Sequence, residues 1–225
     1  KYIDNPLLIE NHKFDLRLYV FIASINPLQI YIYDKGLVRF ATSQYTQNIE
    51  NNTTDSNDSM EDDDQTKKDR LMNDNEILCS HLTNYTLNKK HPNYKNKNKE
   101  IKWSLERFWD ELAKKEKELE LKKLEIRQEL KQDEVANDEE EEEEEEEEMS
   151  GYLKQHILKQ VHEMIRNVFK IGYTKLNEGF AYQFSNNNKN HGRCFDILGM
   201  DVLIDTNYKC WLMEFNRYPS LKCEH

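Results

Sequence analysis

The stretch Asp15 to Ile22 alternates without a break, and it constrains this chain more than any other feature. Asp15, Arg17, Tyr19 and Phe21 fall on one side, and Leu16, Leu18, Val20 and Ile22 on the other. Successive side chains of a strand point to opposite faces. The segment is therefore a strand with one aliphatic face to bury and one charged, aromatic face to display. Its flanks extend it into a sheet. Asn26-Pro27 marks a turn, Gln29 to Tyr33 reads as a second strand, Asp34-Lys35-Gly36 as another turn, and Leu37 to Thr42 as a third strand. These predict an antiparallel meander.

Two segments have helical periodicity. Trp103 to Leu130 carries Leu105, Phe108, Trp109 and Leu112 on one stripe, continued thinly by Leu119 and Ile126. Past Leu112 charges of both signs dominate, which predicts a solvated half projecting from the fold. Leu153, Ile157, Val161, Met164, Ile165, Val168 and Phe169 form a second apolar face, suited to pack on a sheet. Cys194 to Ile204 and Lys209 to Phe215 read as two apolar strands joined by residues 205–208, and Asn186 to Gly192 as a polar loop.

Charge then sorts the chain into folded and solvated parts. The formal net charge is -11, and the eleven acids from Asp138 to Glu148 account for all of it. Thr46 to Asp74, with nine acids and three bases, takes a further -6 and leaves +6 on the remainder. Thr46 to Asp74 has too little apolar surface to offset its ordering entropy, and the Glu run repels itself at neutral pH, so both are expected to be disordered insertions. The basic remainder favours acidic partners such as phosphates, nucleic acid or a glutamate-rich peptide. No stretch approaches the roughly 20 apolar residues of a membrane span. Cys79, Cys194, Cys210 and Cys223 show neither metal-ligand spacing nor a disulfide framework, as expected of reduced thiols. The expected division is 1–45, 75–112 and 151–225 as folded core, 46–74 as one insertion, and 113–150 as a charged helix with the Glu run. Lys1 to Leu8 lacks a signal layout and begins inside a structured motif, as a fragment would.

Three oxygen-bearing side chains near the end suggest a cation site. Glu214 and Asn216 are two apart and share a strand face. With a turn of residues 205–208, Asp201 lies opposite Leu212 and diagonal to Glu214, about 7–8 Å away at the backbone. Hard oxygen ligands at that spacing suit magnesium. The same spacing also fits ordinary surface acids at a hairpin end. Lys13, Arg17 and Arg39 are cations able to reach phosphate oxygens; a solvated basic face, with Asp15 pairing Arg17, is the alternative. His81 could serve as a base or ligand, but a lone histidine is more often structural, and the tryptophans read as packing residues. There is no Gly-rich phosphate loop and no convincing nucleophile-histidine set.

Five blocks then match a known family in its order. They are Tyr2-Ile3-Asp4-Asn5-Pro6-Leu7-Leu8-Ile9, Lys13-Phe14-Asp15-Leu16-Arg17-Leu18-Tyr19-Val20 with Gly36-Leu37-Val38-Arg39-Phe40-Ala41-Thr42, His81-Leu82-Thr83-Asn84-Tyr85 with Asn88-Lys89-Lys90, Lys102-Trp103-Ser104-Leu105, and Cys194 to Asn216. In these the chain resembles the tubulin tyrosine ligase-like family, and its polyglutamylase branch in particular. The resemblance implies an α+β ATP-grasp fold that holds ATP and magnesium. It assigns Asp201, Glu214 and Asn216 to magnesium. It places Lys13, Asp15, Arg17 and Arg39 around the phosphates, Arg17 and Arg39 with catalytic roles. Thr83 and Asn84 would lie by the nucleotide and the incoming amino acid, and Pro6 to Ile9 by the adenine.

The implied activity is ATP-dependent addition of glutamate to glutamate side chains, through an acyl phosphate. Its partners would be acidic tubulin tails, microtubules and free glutamate, with no nucleic acid and no membrane. The implied location is cytoplasm and cytoskeleton, with cilium, flagellum and basal body as candidates. A glycine or tyrosine ligase of the same family, or a non-catalytic microtubule-associated scaffold, is the alternative. Three departures stand out. The family's nucleotide-covering segment does not precede Lys1 here. Arg217 and Tyr218 stand where the family has small residues, and Met200 where it has Phe.

Overall fold

The longest strand forms where the alternation predicts it. In the computed structural model, which describes residues 2–46, 79–83, 102–131, 151–184 and 195–221, strand β2 runs His12–Ile25. The aliphatic side of its pattern is buried: Leu16 and Val20 are fully enclosed, with Phe14 and Leu18 nearly so. The other strands are β1 (Leu8–Ile9), β3 (Leu28–Ile32), β4 (Leu37–Phe40), β5 (Lys102–Ser104), β6 (Asp196–Ile204) and β7 (Cys210–Arg217). The sheet runs β5-β4-β2-β6-β7, with β1 and β3 also paired to β2. All these pairings are antiparallel. Glu10 and Asn11 turn β1 into β2 with φ of 50° and 62°, the positive values a tight two-residue hairpin needs.

The predicted meander does not form. β3 pairs with residues 20–25 of β2 and β4 with residues 14–17, so both lie along one edge of the same strand. They act as one returning strand broken at residues 33–36, where the Tyr33 N–H still reaches the Tyr19 carbonyl at 2.9 Å. At 14 residues, β2 is long enough to hold both. Between Val20↔Ile32 and Arg17↔Leu37 the returning strand uses two more residues than β2 does. An even surplus preserves side-chain parity, so Arg39 still faces the same way as Asp15.

Among the described residues the two long helices are α1 (Leu105–Lys131) and α2 (Tyr152–Phe184). Trp103, expected in the first helix, sits instead in β5 opposite Val38. The helix starts later because Ser104 caps it: its hydroxyl accepts the Arg107 N–H at 3.2 Å. The Leu105 N–H is taken by the Gly36 carbonyl at 3.0 Å. Leu105, Phe108, Trp109 and Leu112 of α1, with Ile157, Val161, Ile165 and Phe169 of α2, are buried in one core with the aliphatic face of the sheet. Each such side chain contributes about 1.5–3 kcal/mol of hydrophobic stabilisation. Met200 is fully enclosed there too.

Past Leu112 the apolar stripe lapses, and Leu119 and Leu121 are exposed. The expected boundary at 112/113 falls inside this continuous helix. Two residues beyond it are still tied to the fold: the Lys115 ammonium donates to the Leu8 carbonyl at 3.4 Å, and the Glu116 carboxylate accepts the Leu153 N–H at 2.5 Å and the Gly151 N–H at 3.2 Å, capping the start of α2. Among the described residues no helix is long and apolar enough to cross a membrane. Cys79 and Cys210 are free thiols. The Glu run Asp138 to Glu148, all of the first insertion but Thr46, the Asn186 to Gly192 loop, Asn84, Cys194 and Cys223 lie outside the described residues.

Candidate functional site

Because both helices cover the aliphatic face, the other face of the sheet is left to carry chemistry. Register decides what meets there. Asp15 pairs with Arg39, Arg17 with Asp201, Asp201 with Glu214, and Gly199 with Asn216. Directly opposed residues share a face, so four strands aim these side chains at one region.

The pairing of Asp201 corrects the expected register. The turn is one residue longer than assumed, with Ile204 opposite Cys210. Left uncorrected, that slip would put Met213 opposite Asp201. A β-bulge between Asp201 and Val202 absorbs it and brings Glu214 directly across, closer than the expected diagonal. Asp205 stabilises the turn: its carboxylate accepts the backbone N–H of Asn207 at 2.9 Å and of Lys209 at 3.1 Å, and the Trp211 indole N–H at 2.9 Å.

The arginines are paired with carboxylates, and not as expected. Arg39, not Arg17, forks onto Asp15, at 2.7 Å and 2.6 Å. Arg17 forks onto Asp201, with its Nη2 at 3.0 Å from Oδ2. Arg39 also reaches Asp201 Oδ2 at 2.9 Å, and the Thr83 hydroxyl donates to Asp15 Oδ2 at 2.7 Å. The four charged side chains are between 6% and 16% exposed, which rules out a solvated basic face. Burial is the largest influence on both Asp15 and Arg39. It pushes Asp15 above the usual carboxylate range, against the pull of Arg39 and Thr83. It works against the Arg39 charge too, but pairing with Asp15 and Asp201 outweighs it and holds Arg39 above its ordinary value.

Asn216 closes the set. Its amide nitrogen lies 3.2 Å from Asp201 Oδ2 and 2.9 Å from Glu214 Oε1. One donor thus occupies the point where two carboxylates call for positive charge. Turning that amide over presents its oxygen to the same point, completing three hard oxygen donors. Among the described residues no three His, Cys, Asp or Glu side chains cluster in this way, so the amide is needed for a third ligand.

Lys13 stands apart from this network. It is 7% exposed, and its ammonium donates to the Tyr2 hydroxyl at 3.2 Å. Desolvation holds it below the ordinary lysine range, with Asp15 pulling the other way. His81 is buried and meets the same Tyr2 hydroxyl through Nδ1 at 2.6 Å. Pro6 to Ile9 run past the end of β6, where the Leu7 N–H reaches the Ile204 carbonyl at 2.8 Å.

Two participants lie in the matched blocks but were given no role there. A Cβ on Gly199 would stand 3.1 Å from Arg17 Nη1 and 3.1 Å from Pro219 Cβ, so only glycine lets both lie over β6. A glycine inside an apolar strand was its available signal. Tyr19 holds the segment after β7 over the same face by donating to the Ser220 carbonyl at 3.1 Å. Arg217 and Tyr218 sit at the rim. Tyr218 is 82% exposed, and its φ of 55° is rare for a bulky residue.

Comparison with known proteins agrees with this sheet and its motifs. The family model described as the Tubulin-tyrosine ligase family matches residues 1–133 and 125–225. Tubulin polyglutamylase TTLL6 of Homo sapiens is 26% identical over 99% of this chain and 19% of its own length. Tubulin polyglutamylase ttll-4 of Caenorhabditis elegans is 29% identical over 98% of this chain and 26% of its own length. Tubulin polyglutamylase TTLL5 of Homo sapiens is 29% identical over all of this chain and 13% of its own length. The chain thus spans about a quarter or less of these relatives. With a family model whose two matches together cover every residue and the mixed α+β, ATP-grasp-like sheet that such a match calls for, this chain belongs to the Tubulin-tyrosine ligase family.

Proposed function

We propose that this chain carries the ATP- and magnesium-binding part of a ligase that adds glutamate to glutamate side chains of a protein, with tubulin tails as the acceptor. The observation that carries this reading is the meeting of Asp201, Glu214 and Asn216 beside the Arg17 and Arg39 forks on one sheet face. Relatives named as tubulin polyglutamylases support the choice of glutamate and of tubulin.

The chemistry asked of these residues is electrostatic. An acceptor carboxylate oxygen attacks the terminal phosphorus of ATP and ADP leaves. The amino nitrogen of the incoming glutamate then attacks the acyl carbon, phosphate leaves, and the nitrogen gives up a proton as the amide forms. Both steps build charge on phosphoryl and acyl oxygens. Asp201, Glu214 and Asn216 would hold magnesium, which neutralises phosphate charge when bound. Arg17 and Arg39 keep one guanidinium nitrogen each outside their forks, available to those oxygens. The carboxylates hold both planes rigid, so little reorganisation is needed as charge develops. Lys13 adds a compact charge, and Thr83 would serve the amino-acid side. Such an enzyme works in the cytoplasm on the cytoskeleton, cilia and basal bodies included.

The test is incorporation of labelled glutamate into tubulin by the full-length protein, with ATP and magnesium. Glu214→Gln abolishes it while the melting temperature stays put. Unchanged incorporation overturns the metal assignment. Incorporation of glycine or tyrosine in place of glutamate overturns the substrate, and microtubule binding without turnover overturns the ligase reading.

A further inference from the structure

Lys13 is a cation with few partners. Among the described residues no carboxylate lies within ion-pair distance of it, because Asp15 is taken by Arg39 and Thr83. Its contacts are the Tyr2 hydroxyl at 3.2 Å and the Tyr2 ring, whose centroid is 4.8 Å from Nζ. An ammonium has three donors and no acceptor. One goes to Tyr2, which leaves donor capacity for an anionic oxygen.

The Tyr2 hydroxyl is held in turn. Its oxygen accepts from Lys13, and its proton can be taken by His81 Nδ1, at 2.6 Å. In that arrangement Nδ1 is the bare nitrogen of a neutral imidazole, with the ring proton on Nε2. Desolvation and the nearby Lys13 charge hold His81 below the ordinary imidazole range, in keeping with that state. The ring is gripped edge-on by Tyr2 and Tyr45, with centroids 5.9 Å and 4.9 Å away. Tyr45 is itself fixed by its N–H on the Asn11 carbonyl and its hydroxyl on the Asp4 carbonyl, at 2.8 Å and 2.9 Å.

The geometry has a cost. His81 is 9% exposed, yet among the described residues its Nε2 has no hydrogen-bond partner. The Thr46 backbone acts on the ring without closing that bond. A buried donor left unsatisfied destabilises a fold, and an apolar ring of similar size would avoid the loss. A residue kept against stability points to a task at the site.

We propose that Tyr2 and His81 are positioning residues for Lys13: neutral His81 orients the Tyr2 hydroxyl as an acceptor, and that oxygen holds the Lys13 ammonium ready for a nucleotide phosphate. The proposal rests on the phosphate-binding reading of Lys13 given above. It assigns His81 a role in ATP binding that does not involve touching ATP.

The experiment measures KM for ATP, KM for glutamate and kcat in the full-length protein. Tyr2→Phe and His81→Phe keep ring volume and remove one link each. Each is expected to raise KM for ATP about five- to tenfold, the loss of one oriented bond to a charged group, while kcat and KM for glutamate stay within about twofold. His81→Asn, which returns an acceptor near the Nδ1 position, restores most of the loss. In a Lys13→Met background neither phenylalanine variant raises KM for ATP further, because the link no longer has a cation to place. Equal effects in both backgrounds make the pair merely structural and overturn the proposal. A raised KM for Lys13→Met with no effect of Tyr2→Phe or His81→Phe also overturns it, and leaves the nucleotide reading intact. An unchanged KM for Lys13→Met overturns the nucleotide reading of Lys13 itself. Tyr2 is half exposed, so Tyr2→Phe keeps the test decisive if His81→Phe does not fold.

Discussion

Asp201→Asn removes the charge from a carboxylate that Arg17, Arg39 and Asn216 all share. The Asp201 side chain is 6% exposed, and Arg17 and Arg39 are 15% and 16% exposed. Removing one partner of a pair this enclosed costs about 3–5 kcal/mol, because the opposite charge stays behind. Two features place this variant at the lower end. Arg39 keeps its fork on Asp15 at 2.7 Å and 2.6 Å, and asparagine retains one acceptor oxygen. Arg17 loses the carboxylate it forks onto. A loss of about 3 kcal/mol lowers the melting temperature by roughly 6–12 °C in a chain of this size. Glu214→Gln is the matched control. Glu214 is exposed and its recorded hydrogen bond is to Asn216, so its loss costs no more than about 0.5 kcal/mol. Circular dichroism at 222 nm during heating separates the two variants, and the glutamate incorporation assay shows both inactive. An Asp201→Asn protein that melts with the wild type refutes the reasoning that its buried ion pairs with Arg17 and Arg39 stabilise the sheet. Equal destabilisation by Glu214→Gln refutes the division between a buried anchor and an exposed ligand.

Gly199→Ala is expected to destabilise by about 1–3 kcal/mol through overpacking and to impair glutamate incorporation, since the new methyl meets Arg17 and Pro219; a wild-type melting curve with full activity would show that the strand has room. Cys210 is buried and its thiol is pushed up to about 12 by desolvation, so mass mapping of iodoacetamide adducts at pH 8 should find it unmodified until the protein is unfolded. Lys13 sits below its ordinary pKa, so the cost of burying its charge is fully present below the folded pKa and is relieved as pH rises through that value. Lys13→Met is therefore expected to raise stability in urea at neutral pH, with a smaller gain at alkaline pH; a gain that grows with pH reverses the sign of this linkage.

How far the sequence reaches is clearest at single elements. The alternation of Asp15 to Ile22 settles which side of β2 is buried, since period two has no other solution once one set is aliphatic. The apolar stripes of α1 and α2 settle that helices cover that side. Trp103 was misplaced because an apolar residue just before a helical stripe looks the same whether it belongs to the helix or to a strand. Only Ser104 as a cap, and Val38 as a pairing partner, distinguish the two. The meander failed for a similar reason, because local propensity does not say which edge of a long strand a returning segment takes.

The sequence by itself determined the residue types of the candidate site and the face each occupies: Glu214 with Asn216, and Asp15 with Arg17. Tertiary structure decided who meets whom. Arg39 took Asp15, Arg17 took Asp201, and a bulge beside Asp201 brought Glu214 across, all through cross-strand register. Register depends on turn length and on residues far apart in the chain, whereas facing depends only on neighbours two apart. The Lys13–Tyr2–His81 chain makes the same point. Its first and last members are 68 residues apart and meet on the oxygen of a third, which no local pattern encodes.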